Sequence, residues 1–124
     1  MFDHVGFEVR DLRRSLKFYE LALAPLGSKL LVHLEKWKAA GFGTTRPQFW
    51  IGEGEPKSGP DEVHVCFSAK SRDEVRAFYD SAVRAGGKDN GAPGVRPEYH
   101  ENYYGAFVLD PDGYNIEACC HTPE

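Results

Sequence analysis

The feature that most limits what this chain can fold into is an internal repeat. His4-Val5-Gly6-Phe7 and His64-Val65-Cys66-Phe67 match at three of four positions, sixty residues apart. Without a gap, the same frame aligns Phe18-Tyr19 with Phe78-Tyr79, Ala22 with Ala82 and Gly27 with Gly87. Each match alone is cheap, but ordered matches in one frame point to one supersecondary unit used twice.

The patterning within each copy gives the unit its shape. Residues 3–9 and 62–69 alternate β-branched and aromatic residues with polar ones, which predicts strands. Asp11 and Ser71 stand as helix caps before amphipathic stretches, Leu12, Leu16, Tyr19 and Leu23 in one and Val75, Phe78, Tyr79 and Ala82 in the other. Gly27 and Gly86-Gly87 sit where those helices should stop. Short strands are expected at 29–33, 39–43 and 48–51, then at 106–109 and 114–119, with a looser, Pro-containing segment over 91–99. The chain is thus expected to be one α+β domain of two βαβββ modules, 1–52 and 61–121, joined by a turn-rich linker over 53–60. No Gly-rich phosphate fingerprint follows the first strand, which removes a dinucleotide fold.

Composition narrows the function classes. Hydrophobic residues make up 41% and charged residues 27%, an ordinary globular balance. Fifteen basic against nineteen acidic residues, a formal charge of −4, leave no electrostatic footprint for nucleic acid or an anionic membrane. No apolar run approaches the roughly 20 residues needed to span a bilayer, and Asp3 and His4 break any signal-peptide pattern, so a cytoplasmic protein is expected. Cys66, Cys119 and Cys120 are odd in number and lack Cys-x-x-Cys spacing, which argues for reduced, buried, structural thiols.

Chemistry enters through the repeated histidine. Residues two apart share a strand face, so His4 lies across the pleat from Val5 and Phe7, and His64 across it from Val63, Val65 and Phe67. Glu117, between Ile116 and Ala118, is an acid in an otherwise apolar strand and needs a compensating charge or donor. If the modules pack with approximate two-fold symmetry, two imidazoles and a carboxylate from three strands converge on one divalent ion, of Fe, Mn, Zn, Ni or Co.

Asp3-His4-Val5, Asp11-Leu12 with Ser15, Phe18-Tyr19, Val63-His64-Val65 and above all Asp110-Pro111-Asp112-Gly113-Tyr114-Asn115-Ile116-Glu117 resemble the glyoxalase/bleomycin-resistance/extradiol-dioxygenase superfamily, also called vicinal oxygen chelate. The resemblance implies a cup-shaped mixed sheet around a cavity. It also implies a metal on His4, His64 and Glu117, which match ligand positions on the first, fifth and eighth strands. In glyoxalase I the fourth strand adds a carboxylate; here that strand runs Gln48-Phe49-Trp50-Ile51, and Glu53 lies just beyond. A three-ligand set is similar to those of extradiol dioxygenases and fosfomycin-resistance thiol transferases. A homodimer is implied as well, with modules pairing either within one chain or between two.

The function so implied is metal-dependent lyase, isomerase or dioxygenase chemistry on a small oxygenated substrate, with Glu117 and His100 as the proton-moving groups. Gln48, Trp50, Arg96, Tyr99, Tyr104 and His121 are the expected substrate-binding residues. Against this stand a Tyr-rich surface loop or dimer contact over 97–104, core packing for Trp50 and an exposed tail for His121. The alternative function is a metal-free protein of the bleomycin-resistance type that sequesters a planar ligand between aromatic walls.

Overall fold

A computed structural model describes residues 1–123 of the chain. Module one contains β1 (Val5–Val9), α1 (Leu12–Leu23), β2 (Lys29–Leu34), β3 (Ala39–Gly43) and β4 (Phe49–Glu53). Module two contains β5 (His64–Ser68), α2 (Arg72–Arg84), β6 (Lys88–Val95), β7 (Tyr104–Leu109) and β8 (Asn115–Cys120). Each module forms a four-stranded mixed sheet, in the orders β1-β4-β3-β2 and β5-β8-β7-β6. The β1–β4 and β5–β8 pairs are parallel and the others antiparallel. The α+β, two-module architecture expected from the repeat is the one observed.

Local chemistry starts both helices. Asp11 accepts from the Arg14 amide at 3.2 Å and Ser71 from the Glu74 amide at 3.2 Å, each satisfying an amide that has no partner inside its helix. Leu12, Ser15, Phe18, Tyr19, Ala22 and Leu23 form the buried face of α1, and Val75, Phe78 and Ala82 that of α2. The two helices pack on one another, and the aromatic layer beneath them crosses the module boundary. Phe7 meets Tyr114 at 4.7 Å and Phe49 meets Phe67 at 5.0 Å, both edge-on.

The Asp110–Tyr114 turn is a clamp between modules. Asp110 Oδ1 accepts from the amides of Asp112 and Tyr114 at 2.9 Å each, and Oδ2 accepts from the Tyr19 hydroxyl of α1 at 2.5 Å. Asp112 accepts from the Arg10 amide at 3.1 Å and from Ser15 Oγ at 3.4 Å. The Tyr114 hydroxyl donates to the Glu8 carbonyl at 2.6 Å. Burial pushes the Asp110 carboxyl above its usual range.

One boundary and one burial differ from expectation. The loose segment over 91–99 is headed by a strand that already begins at Lys88; its pairing with β7 shifts register twice, where Gly91 and Pro93 interrupt the ladder. Cys66 is exposed rather than buried, because it lies on the same outward face as His64 and Ser68, while Val65 and Phe67 turn to the core. Cys119 and Cys120 are buried as expected, and all three cysteines are free.

Candidate functional site

The open face of the second sheet is fixed by the β5–β8 register. His64 stands opposite Asn115 and Cys66 opposite Glu117, so the alternation puts His64, Cys66, Asn115, Glu117 and Cys119 on one side. Ile116, Ala118 and Cys120 take the other side and pack into the core. In the antiparallel β7–β8 pair, Phe107 stands opposite Glu117 and Gly105 opposite Cys119, which adds Phe107 to that open face.

His64 and Glu117 meet there. His64 Nε2 lies 3.0 Å from Glu117 Oε1, and His64 Nδ1 lies 3.0 Å from the Asn115 carbonyl. The imidazole also stacks on Phe107, with centroids 6.1 Å apart and planes 23° apart. Glu117 is only 2% exposed, and its second oxygen accepts a very short hydrogen bond from the Tyr103 hydroxyl. A side chain at residue 105 would press on Glu117 Oε2 at 3.0 Å and on the Tyr103 ring at 3.1 Å, so Gly105 leaves the room these two need. Burial and the Glu117 carboxylate together push the Tyr103 phenol up.

Two thiols adjoin the pair. Cys66 Sγ donates to Cys119 Sγ at 3.3 Å. That bond lowers Cys119 to about 6 and raises Cys66, since one proton serves both sulfurs. Among the described residues, Cys66, Glu117 and Cys119 are the one set of three ligand-type side chains whose donor atoms all lie within 4.8 Å.

The hollow expected to unite His4, His64 and Glu117 is therefore not formed within one chain. His4 precedes β1 on the first sheet, its side chain is 62% exposed, and Nδ1 bonds Asp3 Oδ1 at 2.8 Å. That bond, reinforced by Arg46, lowers the Asp3 carboxyl. The physical reason is the way the modules meet: their apolar faces pack together, while β1 and β5 are left as sheet edges. His4 instead borders a groove of about 510 Å³ between the modules, shared with Phe42, Gln48, Val65 and Cys66.

The other expected site residues divide. Arg96 lies over Phe107, its guanidinium carbon 5.5 Å from the ring centroid. Tyr99, His100 and His121 form an aromatic group around Tyr103: Tyr99 at 5.1 Å and His121 at 5.1 Å from it, and His100 at 5.6 Å from His121. Tyr104 is turned the opposite way. It is buried against α2, accepts from Arg76 at 3.0 Å and stacks under Arg72, so it does not face Glu117. Tyr103, adjacent to it, is not singled out by sequence; its parity with Gly105 and Phe107 becomes a signal only once β7 starts at Tyr104 and pairs with β8.

Gln48 lies just ahead of β4, two residues from Trp50 within it. Val5 stands opposite Phe49 as Val65 stands opposite Ile116, which makes Trp50, opposite Gly6, the counterpart of Glu117, opposite Cys66. The Trp50 indole lies over Gly41. Glu53 does not replace the missing acid: it accepts from the Leu12 amide at 3.0 Å and from Lys38 at 3.3 Å, which holds its carboxyl low.

The family profile described as Glyoxalase/Bleomycin resistance protein/Dioxygenase superfamily matches residues 1–118. A glyoxalase/bleomycin resistance protein from Albidiferax ferrireducens is 30% identical, with a TM-score of 0.85 over 97% of this chain and 98% of that one. A glyoxalase I variant from Zea mays is 28% identical with a TM-score of 0.70, and the match covers 95% of this chain but 46% of that one. The fosfomycin resistance protein FosX from Mesorhizobium loti shares the fold at 19% identity, with a TM-score of 0.71 over 98% and 92% of the two chains. Paired βαβββ modules, the strand order within each and a profile match along nearly the whole length give one conclusion: the chain belongs to the Glyoxalase/Bleomycin resistance protein/Dioxygenase superfamily.

Proposed function

We propose that the protein is a metal-dependent, glyoxalase-like enzyme acting on a small oxygenated substrate, with one divalent ion held by His64, Glu117 and the His4 of a second copy. The observation that carries this reading is that His64 has an acceptor at both ring nitrogens, a carbonyl at 3.0 Å and a carboxylate at 3.0 Å. A neutral imidazole has one N–H to give. With Nδ1–H directed to the Asn115 carbonyl, Nε2 and Glu117 Oε1 face each other as two lone-pair donors, and a positive charge between them satisfies both. The donor set, imidazole nitrogen and carboxylate oxygen, fits Fe, Mn, Zn, Ni or Co.

His4 supports the second-copy element of the reading. It is exposed, and β1 and β5 both end their sheets with an unpaired edge. When bound, the ion supplies Lewis-acid polarisation of a carbonyl or enolate oxygen. Glu117, tied to Tyr103 through Oε2, holds and passes the proton, and Tyr103 keeps the carboxylate aimed across the sheet. Arg96 offers charge at the rim, and Tyr99, His100 and His121 offer an aromatic wall for the substrate.

Elemental analysis of full-length protein purified without chelator tests this. Stoichiometric divalent metal is expected, falling by one equivalent per chain in His64→Ala and in His4→Ala. A wild type that takes up no divalent ion sinks the reading. One feature favours a second reading, a metal-free ligand binder: Trp50, an aromatic wall, stands where a second acid would be. That protein would be stabilised by a planar ligand in the presence of chelator and in His4→Ala alike.

A further inference from the structure

We propose that Cys66, Cys119 and Glu117 form a chelating site for a thiophilic closed-shell divalent cation, of the Zn(II) or Cd(II) class. The two sulfurs lie 3.3 Å apart on adjacent strands, and the Glu117 carboxylate is within 4.8 Å of both. His121 Nε2, 4.0 Å from Cys119 Sγ, is a nitrogen donor beside them. Two sulfurs, a carboxylate oxygen and an imidazole nitrogen are the donors such ions take in tetrahedral sites. Thiolate selects against the harder oxygen-seeking cations.

Register decides between chelation and a disulfide. Cys66 stands opposite Glu117 while Cys119 stands opposite Ser68, so the thiols are diagonal neighbours. Two residues of rise along a strand and one strand spacing separate their Cα atoms by about 8 Å. Disulfides hold Cα atoms at about 4.4–6.8 Å, so closing one here requires the strands to shift. Sulfurs bound at about 2.3 Å to a tetrahedral ion are roughly 3.8 Å apart, a spacing that rotation about the Cα–Cβ bonds reaches from the one observed. As the two sulfur–metal bonds form, each thiol gives its proton to solvent and no electron is transferred. The cysteines face the same open side as His64, and Cys120, in the core on the opposite face, takes no part.

This inference does not rest on the His64 reading; the two sites share Glu117, and variants of the residues they do not share separate them. Reduced full-length protein is titrated with Cd(II) while the ultraviolet sulfur-to-cadmium charge-transfer absorption is followed. Saturation at one ion per chain is expected, with affinity reduced at least about 100-fold in Cys66→Ser and in Cys119→Ser. His64→Ala and Cys120→Ser are expected to retain the band, whereas the ion of the proposed enzyme site is lost in His64→Ala and in His4→Ala. A wild type without the band, or a band that persists unchanged in Cys66→Ser, overturns the proposal. Cys66→Ser is an exposed, near-isosteric change, so failure to fold does not intervene.

Discussion

Tyr103 and Tyr104 are neighbours in sequence and lie on opposite sides of one sheet. Tyr103 holds Glu117; Tyr104 is buried beneath Arg72 and Arg76 of α2. Reading only the Tyr-rich run, without the β7–β8 pairing, gives no basis for choosing between them, which is why Tyr104 was expected at the site and Tyr103 was not. The pairing of Phe107 with Glu117 makes the choice. Tyr103→Phe should therefore cost about 1–2 kcal/mol in chemical denaturation, a hydrogen bond to a charged group discounted for partial exposure. In a Glu117→Gln background the same change should cost much less, and a double-mutant cycle with no coupling would show that the contact contributes nothing. His64 and Glu117 were legible because each is a polar break in an apolar strand pattern. The thiol pair was not, since two cysteines far apart in sequence meet only through strand register.

At the level of elements, the repeat located both helices and most strands, because alternation, caps and helix stops are local. The acid beyond β4 was the ambiguous part: Glu53 stands near the place of a ligand carboxylate but serves as an added N-terminal partner for α1, accepting from the Leu12 amide. This assignment has a pH signature. The Leu12 bond, then Lys38, lowers Glu53 below 4.5, so its contribution is fully present above that value and is lost as pH falls through the lower folded value. Glu53→Gln should reduce the melting temperature by a constant amount above about pH 5 and converge on wild type in strong acid. Curves that stay parallel down to acid would mean that the carboxylate charge is not what supports the helix. The bounds of the strand that starts at Lys88, expected only as a looser segment over 91–99, escaped sequence reading because Gly91, Pro93 and Gly94 break its alternation, and only the ladder with β7 defines them.

For the whole molecule, the run Asp110 to Tyr114, part of the segment on which the resemblance chiefly rested, works as structure rather than as chemistry. Its carboxylates and phenol hold α1 and β1 against the second module. Asp110→Ala removes three hydrogen bonds from a buried carboxyl and leaves the Tyr19 hydroxyl without that partner. A loss of about 3 kcal/mol is expected, read as the shift of the urea midpoint, with the unfolding still a single transition. Two separate transitions would show that the modules are not coupled through this turn. How the modules meet was the part least accessible to sequence, because a repeat specifies two equivalent units without saying which faces they share. The clamp has a consequence for synthesis. Tyr19 and Phe7 are made well before Asp110 and Tyr114, which cover them; Tyr19 and Asp110 lie 91 residues apart. The first half must wait with its aromatic side bare until that turn has been made, and a message cut short before it would release a sticky fragment rather than a smaller working protein.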